Sequence, residues 1–379
     1  MNSTELRVAK VAMGRIKKAV IEIDAGGHPV FAGHDALHFL EKMLKMLAPK
    51  QCFVLGDEHT ISQCLPEVQA HVPSLQKAEL ISVNSGEPSK CLPVCQDIWE
   101  HLAELKADRS AVLLNLGGGV VSDLGGFIAS TYKRGIRSIN LPTSLMGMVD
   151  AAIGGKTGID LRGAKNMVGT FHDPLAVFIY PPFLRTLNKR ELLNGLAEML
   201  KHGLIEDANH WKAITKAPLH DLDALAPLIY RSAAIKAEVV KRDPLEAGYR
   251  KVLNFGHTIG HGIEAYSWES QHRALLHGEA VAIGMITESW ISSRVGGLDR
   301  EDHDRIASFL IELYKPYLID GAADHRVVEL MRNDKKSKGG EFRFTLIDRI
   351  GSAVTDVPVT AKMAREALEH YRLLVRDRR

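Results

Sequence analysis

Short apolar runs alternating with helical patterns fill the first half of the chain. Gln51–Leu55 reads as a strand ending at Gly56-Asp57, and a helix candidate follows at Leu92–Leu105 with Trp99 and Leu102 on its apolar side. Ala111–Leu116 is a second strand running into Gly117-Gly118-Gly119, and Ser138–Leu141 and Ala176–Tyr180 read as further strands. Strands alternating with helices predict a parallel sheet with crossover helices. After Pro181-Pro182 the period changes. Glu191–Ile205, Pro227–Lys241, Gly256–Tyr266, Gly278–Val295, Arg300–Leu313 and Lys362–Leu374 carry helical spacing, with Pro227 placed in the first turn of its helix. Strand signal there is confined to Phe342–Ile347. The expected architecture is an α/β nucleotide-binding domain over residues 1–185 and a mostly α-helical domain over 186–379, with a cleft between them as the favoured place for a ligand.

Length and composition leave that picture intact. At 379 residues the chain has room for two cores, and 45% hydrophobic with 25% charged residues is ordinary for a globular enzyme. A net charge of +2 gives no argument for nucleic acid or an anionic membrane as partner. The N-terminus lacks the apolar segment of a signal peptide, and no apolar run approaches the length of a membrane span. Cys52, Cys64, Cys91 and Cys95 form no C-x-x-C, so a reduced, cytoplasmic protein is the simplest reading; a Cys91–Cys95 bridge is the sharper alternative.

Candidate chemistry falls into two groups. Gly117-Gly118-Gly119-Val120-Val121-Ser122-Asp123 lies where a strand gives way to a helix, which suits either a pyrophosphate cradle or a plain tight turn. Asp123 suits a ribose or nicotinamide group, and equally a helix N-cap. Asp150-Ala-Ala-Ile-Gly-Gly-Lys156, followed by Lys165-Asn166, combines compact glycine turns with cations fit for a phosphorylated ligand. In the second half, Asn254-Phe-Gly-His257-Thr-Ile-Gly-His261 puts His257, Gly260, His261 and Glu264 on one helical face. Glu198, Lys201 and His202 share another, where Glu198 and Lys201 might otherwise be only a surface ion pair, and His277-Gly-Glu279 opens a long apolar helix. One Glu and two His form a normal catalytic zinc set with positions left open, although each residue also has a bland structural role. Lys236 falls on the apolar stripe of Ile229, Ala233 and Val240, so its charge must meet an anion or snorkel outward. Arg250 offers the planar fork that matches a carboxylate, and Asp334-Lys335-Lys336 reads as a basic loop.

The motifs L-G-G-G-V-V-S-D-L-G-G-F, V-D-A-A-I-G-G-K-T-G, L-A-E-M-L-K-H-G, L-N-F-G-H-T-I-G-H and L-H-G-E-A-V occur in one order, and that series resembles the 3-dehydroquinate synthase family from about Ser85 to about Gly351. The resemblance implies NAD contacts from Glu87, Lys90, Gly118, Gly119, Val120, Asp123, Thr143, Ser144, Asp150, Lys156, Lys165 and the Phe183–Thr186 stretch. It implies one divalent metal, Zn or Co, on Glu198, His257 and His277. It implies substrate-binding or catalytic roles for Arg134, Lys156, Asn166, Lys201, Lys236, Arg250, Asn254, His261 and one lysine of the Lys335-Lys336 pair, with Lys336 the candidate, and with Arg134 reaching the partner of a homodimer. Ser144, Ala152 and Ser122 depart from the family pattern. The implied reaction belongs to the shikimate pathway: 3-deoxy-D-arabino-heptulosonate 7-phosphate gives 3-dehydroquinate and phosphate through transient oxidation by NAD, elimination, re-reduction and aldol closure. Rival expectations are a cyclase for another sugar phosphate such as sedoheptulose 7-phosphate, a metal-dependent polyol dehydrogenase, and a non-catalytic binding protein.

Overall fold

The computed structural model describes residues 20–162, 164–219, 221–270, 274–315, 317–334 and 341–376. The chain divides into two compact units. One is the chain up to Leu192 with His220–Leu245, the other Leu193–Leu219 with Glu246 onward. The first unit therefore takes back a helical segment from beyond residue 186.

The first unit is built on β1 (Ile21–Asp24), β2 (Pro29–Ala32), β3 (Cys52–Asp57), β4 (Glu79–Val83), β5 (Val112–Gly117), β6 (Arg137–Pro142) and a short strand Val177–Ile179. In the sheet they run β1, β2, Val177–Ile179, β6, β5, β3, β4. Only the β1–β2 pair is antiparallel; the other neighbours are parallel. All six residues of β5 are buried, which is why it reads as an apolar run broken only by Asn115, whose amide donates to Asn140 Oδ1 on β6 at 2.8 Å. Phe53, Leu55, Leu113, Ile98, Leu102, Val121, Leu124 and Ile128 make one core with helices Leu92–Glu104 and Gly119–Thr131. A separate antiparallel hairpin joins β7 (Lys156–Leu161) to β8 (Ala164–Phe171).

One helix of this unit corrects an expectation. It runs Leu222–Arg242, so Pro227 sits inside it and not in its first turn. The start is moved upstream by Asp221, whose carboxylate accepts the amides of Asp223 (3.0 Å) and Ala224 (3.2 Å). That cap satisfies two N–H groups of the opening turn, against which the single bond lost at Pro227 is tolerable.

The second unit centres on two helices, His257–Glu269 and His277–Ile291. The latter is buried on nearly every side, as a helix apolar all round must be. The two approach closely because a Cβ on Gly284 would come within 1.8 Å of the Gly256 carbonyl. Gly256 itself turns at φ 79°, a conformation other residues rarely adopt. Glu288, deep in the unit, accepts Gly256 N–H at 2.6 Å and Ile259 N–H at 2.9 Å, placing a carboxylate at the N-terminus of the His257 helix. Most of the helix Lys189–Glu206, helices Ala208–Ile214, Arg300–Leu313, Asp324–Asp334 and Ala361–Arg376, and a hairpin of Glu341–Arg349 with Ser352–Thr360 belong to it as well. The second strand of that hairpin carries Asp356 and Pro358, residue types depleted in strands, which mask its signal in the sequence. No helix among the described residues is long and apolar enough to cross a membrane.

Candidate functional site

In the first unit most candidate residues follow the carboxyl ends of the parallel strands, whereas Arg134 lies at the amino end of β6, on the turn that precedes it. The chain leaves β3 toward β4 on one side, while β5 and β6 lie on the other. This reversal of strand order is where open α/β sheets bind ligands. Gly117 ends β5 there, and Gly118 caps the helix Gly119–Thr131, whose first amides point out of the turn. Thr143 and Ser144 follow β6 beside it. Thr143 N–H donates to Gly117 C=O at 3.0 Å, and a Cβ on Gly118 would stand 3.1 Å from Ser144 Oγ. On Gly119 it would meet Ala151, next to Asp150, at 3.1 Å. Glycines in this turn therefore let it pack closely against Ser144 and Ala151, with Val120 on the helix's first turn. Phe183 and Thr186 lie on the short turn Pro181–Thr186 of the same unit.

Asp123 is not the N-cap of its helix; that position belongs to Gly118. Its carboxylate instead accepts from Lys90 Nζ at 2.7 Å, with Glu87 at 3.6 Å from the same ammonium. Burial opposes the charge on Lys90, but Asp123 and Glu87 outweigh it and raise its pKa. Lys165 approaches Glu87 at 4.0 Å. Asn166, in the left-handed region at φ 53°, is held by its N–H to Asp160 Oδ1 at 2.8 Å. Lys156 is exposed at the start of β7, and Arg134 is exposed on the turn Tyr132–Arg134.

Lys236 does not snorkel. It is buried, and its ammonium donates to Asp150 Oδ1 at 2.6 Å, a carboxylate 86 residues away. The anion demanded by its apolar stripe is thus supplied within the unit.

The second unit assembles the metal candidates. Glu198 is fully buried on the helix Lys189–Glu206, and its Oε1 lies 3.5 Å from His257 Nε2 and 3.6 Å from His277 Nε2. His261 joins them, its ring centroid 5.1 Å from that of His257 and 5.6 Å from that of His277. The Glu198–Lys201 pair is not a surface pair. Lys201 donates to Glu198 Oε2 with both side chains buried. His202 is buried on the same helix. His257 Nδ1 lies 3.0 Å from the Phe255 carbonyl, which fixes its ring and leaves Nε2 toward Glu198. Burial, then Lys201, hold its pKa well below the usual imidazole range, so it is neutral, the form a metal requires. His277 is oriented by Glu264 Oε2, 3.1 Å from its Nδ1. Burial opposes its charge, yet Glu264 and Glu198 raise its pKa to about 10, so a metal entering here displaces a proton from its Nε2. A carboxylate and two imidazoles from three helices, with ring orientations set from behind, fit one divalent ion.

Arg250 is almost fully buried on the turn Tyr249–Asn254 that leads into the His257 helix. Asn254 ends this turn, its amide donating to Glu246 Oε1 at 3.3 Å. Glu264, Glu288 and Glu246 were missed as site-shaping residues. Glu288 had a signal, a lone carboxylate within an apolar run; the partners of the other two lie in different elements. Lys335 and Lys336 fall outside the described residues.

Fold and site define a two-part class, an α/β unit with a dinucleotide-type glycine turn and a helical unit carrying a buried carboxylate–imidazole set. The 3-dehydroquinate synthase N-terminal family model matches residues 80–194 and the C-terminal one residues 195–337. The 3-dehydroquinate synthase of Parabacteroides distasonis is 41% identical over 338 residues, 88% of this chain and 94% of that protein. That of Halorhodospira halophila is 38% identical, covering 92% of this chain and 96% of its own length. The chain belongs to the 3-dehydroquinate synthase family. Among solved structures, 2-epi-5-epi-valiolone synthase from Streptomyces hygroscopicus with NAD+ and Zn2+ bound superposes with TM-score 0.76 at 28% identity, over 87% of this chain and 91% of that one. A 2-deoxy-scyllo-inosose synthase complexed with carbaglucose-6-phosphate, NAD+ and Co2+ shares the fold, with TM-score 0.80 at 21% identity over 93% and 99%.

Proposed function

We propose that this chain converts 3-deoxy-D-arabino-heptulosonate 7-phosphate to 3-dehydroquinate and inorganic phosphate, as a phosphate-eliminating lyase of the shikimate pathway. The observation that carries the reading is the buried Glu198 carboxylate set between His257 and His277 at 3.5 and 3.6 Å. When bound there, a divalent metal supplies Lewis acidity toward a substrate hydroxyl, and NAD on the glycine turn of the first unit supplies a reversible hydride acceptor.

The chain's own residues bind, orient and move protons. Arg250 offers its fork to the substrate carboxylate, and Asn254 orients the adjoining oxygens. His261 is the proton carrier, an imidazole beside the metal set and not one of its ligands in this assignment. Lys156 and Asn166 take the phosphate, and Arg134 reaches the phosphate bound by the other copy of a homodimer. Lys201 and Lys236 already face Glu198 and Asp150, so they serve as positioned hydrogen-bond donors more than as bare cations. The NAD set in this reading is Glu87, Lys90, Gly118, Gly119, Val120, Asp123, Thr143, Ser144, Asp150, Lys156, Lys165, Phe183 and Thr186.

The chain acts as a homodimer in the cytoplasm in this reading. Support for association comes from the β7–β8 hairpin, where Met167 is 64% and Phe171 54% exposed. A sedimenting species of one chain mass would contradict it. All four cysteines are free thiols, which suits a reducing compartment.

The test is purified protein with NAD and a divalent metal. It should release phosphate from the heptulosonate phosphate without net NADH. Release only from the neutral sedoheptulose 7-phosphate would transfer the assignment to the other cyclases. Accumulating NADH would make the chain a dehydrogenase, and binding without turnover a non-catalytic protein.

A further inference from the structure

The turn Tyr249–Asn254 carries both proposed substrate-carboxylate residues, Arg250 and Asn254, with Lys251 next to the first of them. Lys251 is held at both ends by the hairpin of Glu341–Arg349 and Ser352–Thr360. Its carbonyl accepts from Thr345 Oγ1 at 2.7 Å, and its ammonium donates to Asp356 Oδ1 at 3.1 Å and Oδ2 at 2.9 Å. Asp356 is brought there by a bulge. The hairpin register steps from Phe344↔Val357 to Leu346↔Val354, so Thr345 alone faces both Thr355 and Asp356. At the bulge Asp356 takes φ 60°, strained for a residue with a side chain. Bulges re-aim side chains in this way, and Arg343 donates to the Asp356 carbonyl at 3.2 Å.

An open groove of about 230 Å³ runs along this face of the turn, lined by Glu246, Lys251, Asn254, Thr345 and Asp356 among others. Beside such a groove fewer packed atoms hold the segment, so its polar contacts weigh more in its position.

We propose that Thr345 and Asp356 are positioning residues that fix the Tyr249–Asn254 turn, and through it Arg250 and Asn254, in the geometry that receives the substrate carboxylate. The inference rests on the role proposed above for Arg250. A misplacement of about 1 Å at a reacting or binding group can cost on the order of 100-fold, so a modest shift of this turn is enough to be read.

Thr345→Val, Asp356→Asn and their double variant test this in the full-length protein. Backbone amide exchange over residues 249–254, read without substrate, should quicken by about tenfold in the double variant, with the helix His277–Ile291 unchanged. KM for the heptulosonate phosphate should rise by about 5–20-fold, while kcat stays within about threefold and KM for NAD is unmoved. Asp356→Glu, which keeps the carboxylate, should restore most of the lost affinity. Unchanged exchange over 249–254 would overturn the proposal, as would parallel rises in both KM values, the mark of general loosening. The exchange arm needs no turnover. A wild-type protein that releases no phosphate would therefore contradict the proposed function while leaving this inference decided by exchange alone.

Discussion

Glu198 shows how far a single residue can be read. Its helical face with Lys201 was visible in the sequence, but the same spacing describes a surface ion pair. Burial of both side chains separates the two readings, and burial depends on what other elements bring. Lys236 is similar. The cost of a lysine on an apolar stripe was legible, whereas its partner, Asp150, lies in a distant turn. Asp123 was readable only as one of two alternatives, and the structure removes the cap. Glu264 shared a face with His257 and His261 in the sequence, but its bond to His277 Nδ1 at 3.1 Å joins two helices. That bond makes a residue-scale prediction. Glu264→Gln should lower affinity for Zn2+ by about 10–100-fold, because a ring-orienting partner contributes that much to a metal site. Competition against a chromophoric chelator would measure it. Affinity equal to wild type would remove Glu264 from the site.

Elements with strong periodicity were legible. The helix Arg300–Leu313 coincides with its sequence expectation, β5 is displaced from its own by one residue at each end, and the helix Leu92–Glu104 differs by a residue at one end. The weak points were elements without a regular pattern. The β7–β8 hairpin exposes apolar residues on a glycine-rich segment, and Ser352–Thr360 is bulged. Packing between helices was also hidden. Helices Arg300–Leu313 and Ala361–Arg376 meet through His303, whose Nδ1 lies 2.9 Å from Ser289 Oγ and Nε2 3.0 Å from His370 Nε2. Burial, and then the neighbouring His370, lower the His303 pKa to about 4. Unfolding frees it to bind a proton near the ordinary pH 6.5. Between those values the unfolded chain holds more protons, so stability is complete above about pH 6.5 and declines as pH falls toward about 4. From pH 7.5 to 5 this group alone should cost about 2 kcal/mol. Urea unfolding at the two pH values should show that loss in wild type and less of it in His303→Gln. An equal loss in both would show that His303 is not the source.

At the scale of the molecule, the class of fold was readable because alternating strands and helices leave few topologies open. The order of residues along the chain was a poorer guide to the units. The helix Leu222–Arg242 follows the change of period, yet its contacts place it, with Lys236, in the first unit. No local pattern signals such a return, since it depends on which apolar face a helix finds. The same applies to chemistry, which neither glycine turn nor metal set specifies alone. Joined in one chain, they point to oxidation that is undone within each turnover. The most direct measurement supplies NAD at about one-hundredth of the heptulosonate phosphate and follows dehydroquinate to completion, reading the nicotinamide state throughout. The account predicts full conversion, one phosphate per product, and nicotinamide that ends oxidised. Phosphate release that stops at one equivalent per NAD, with NADH accumulated, would contradict it.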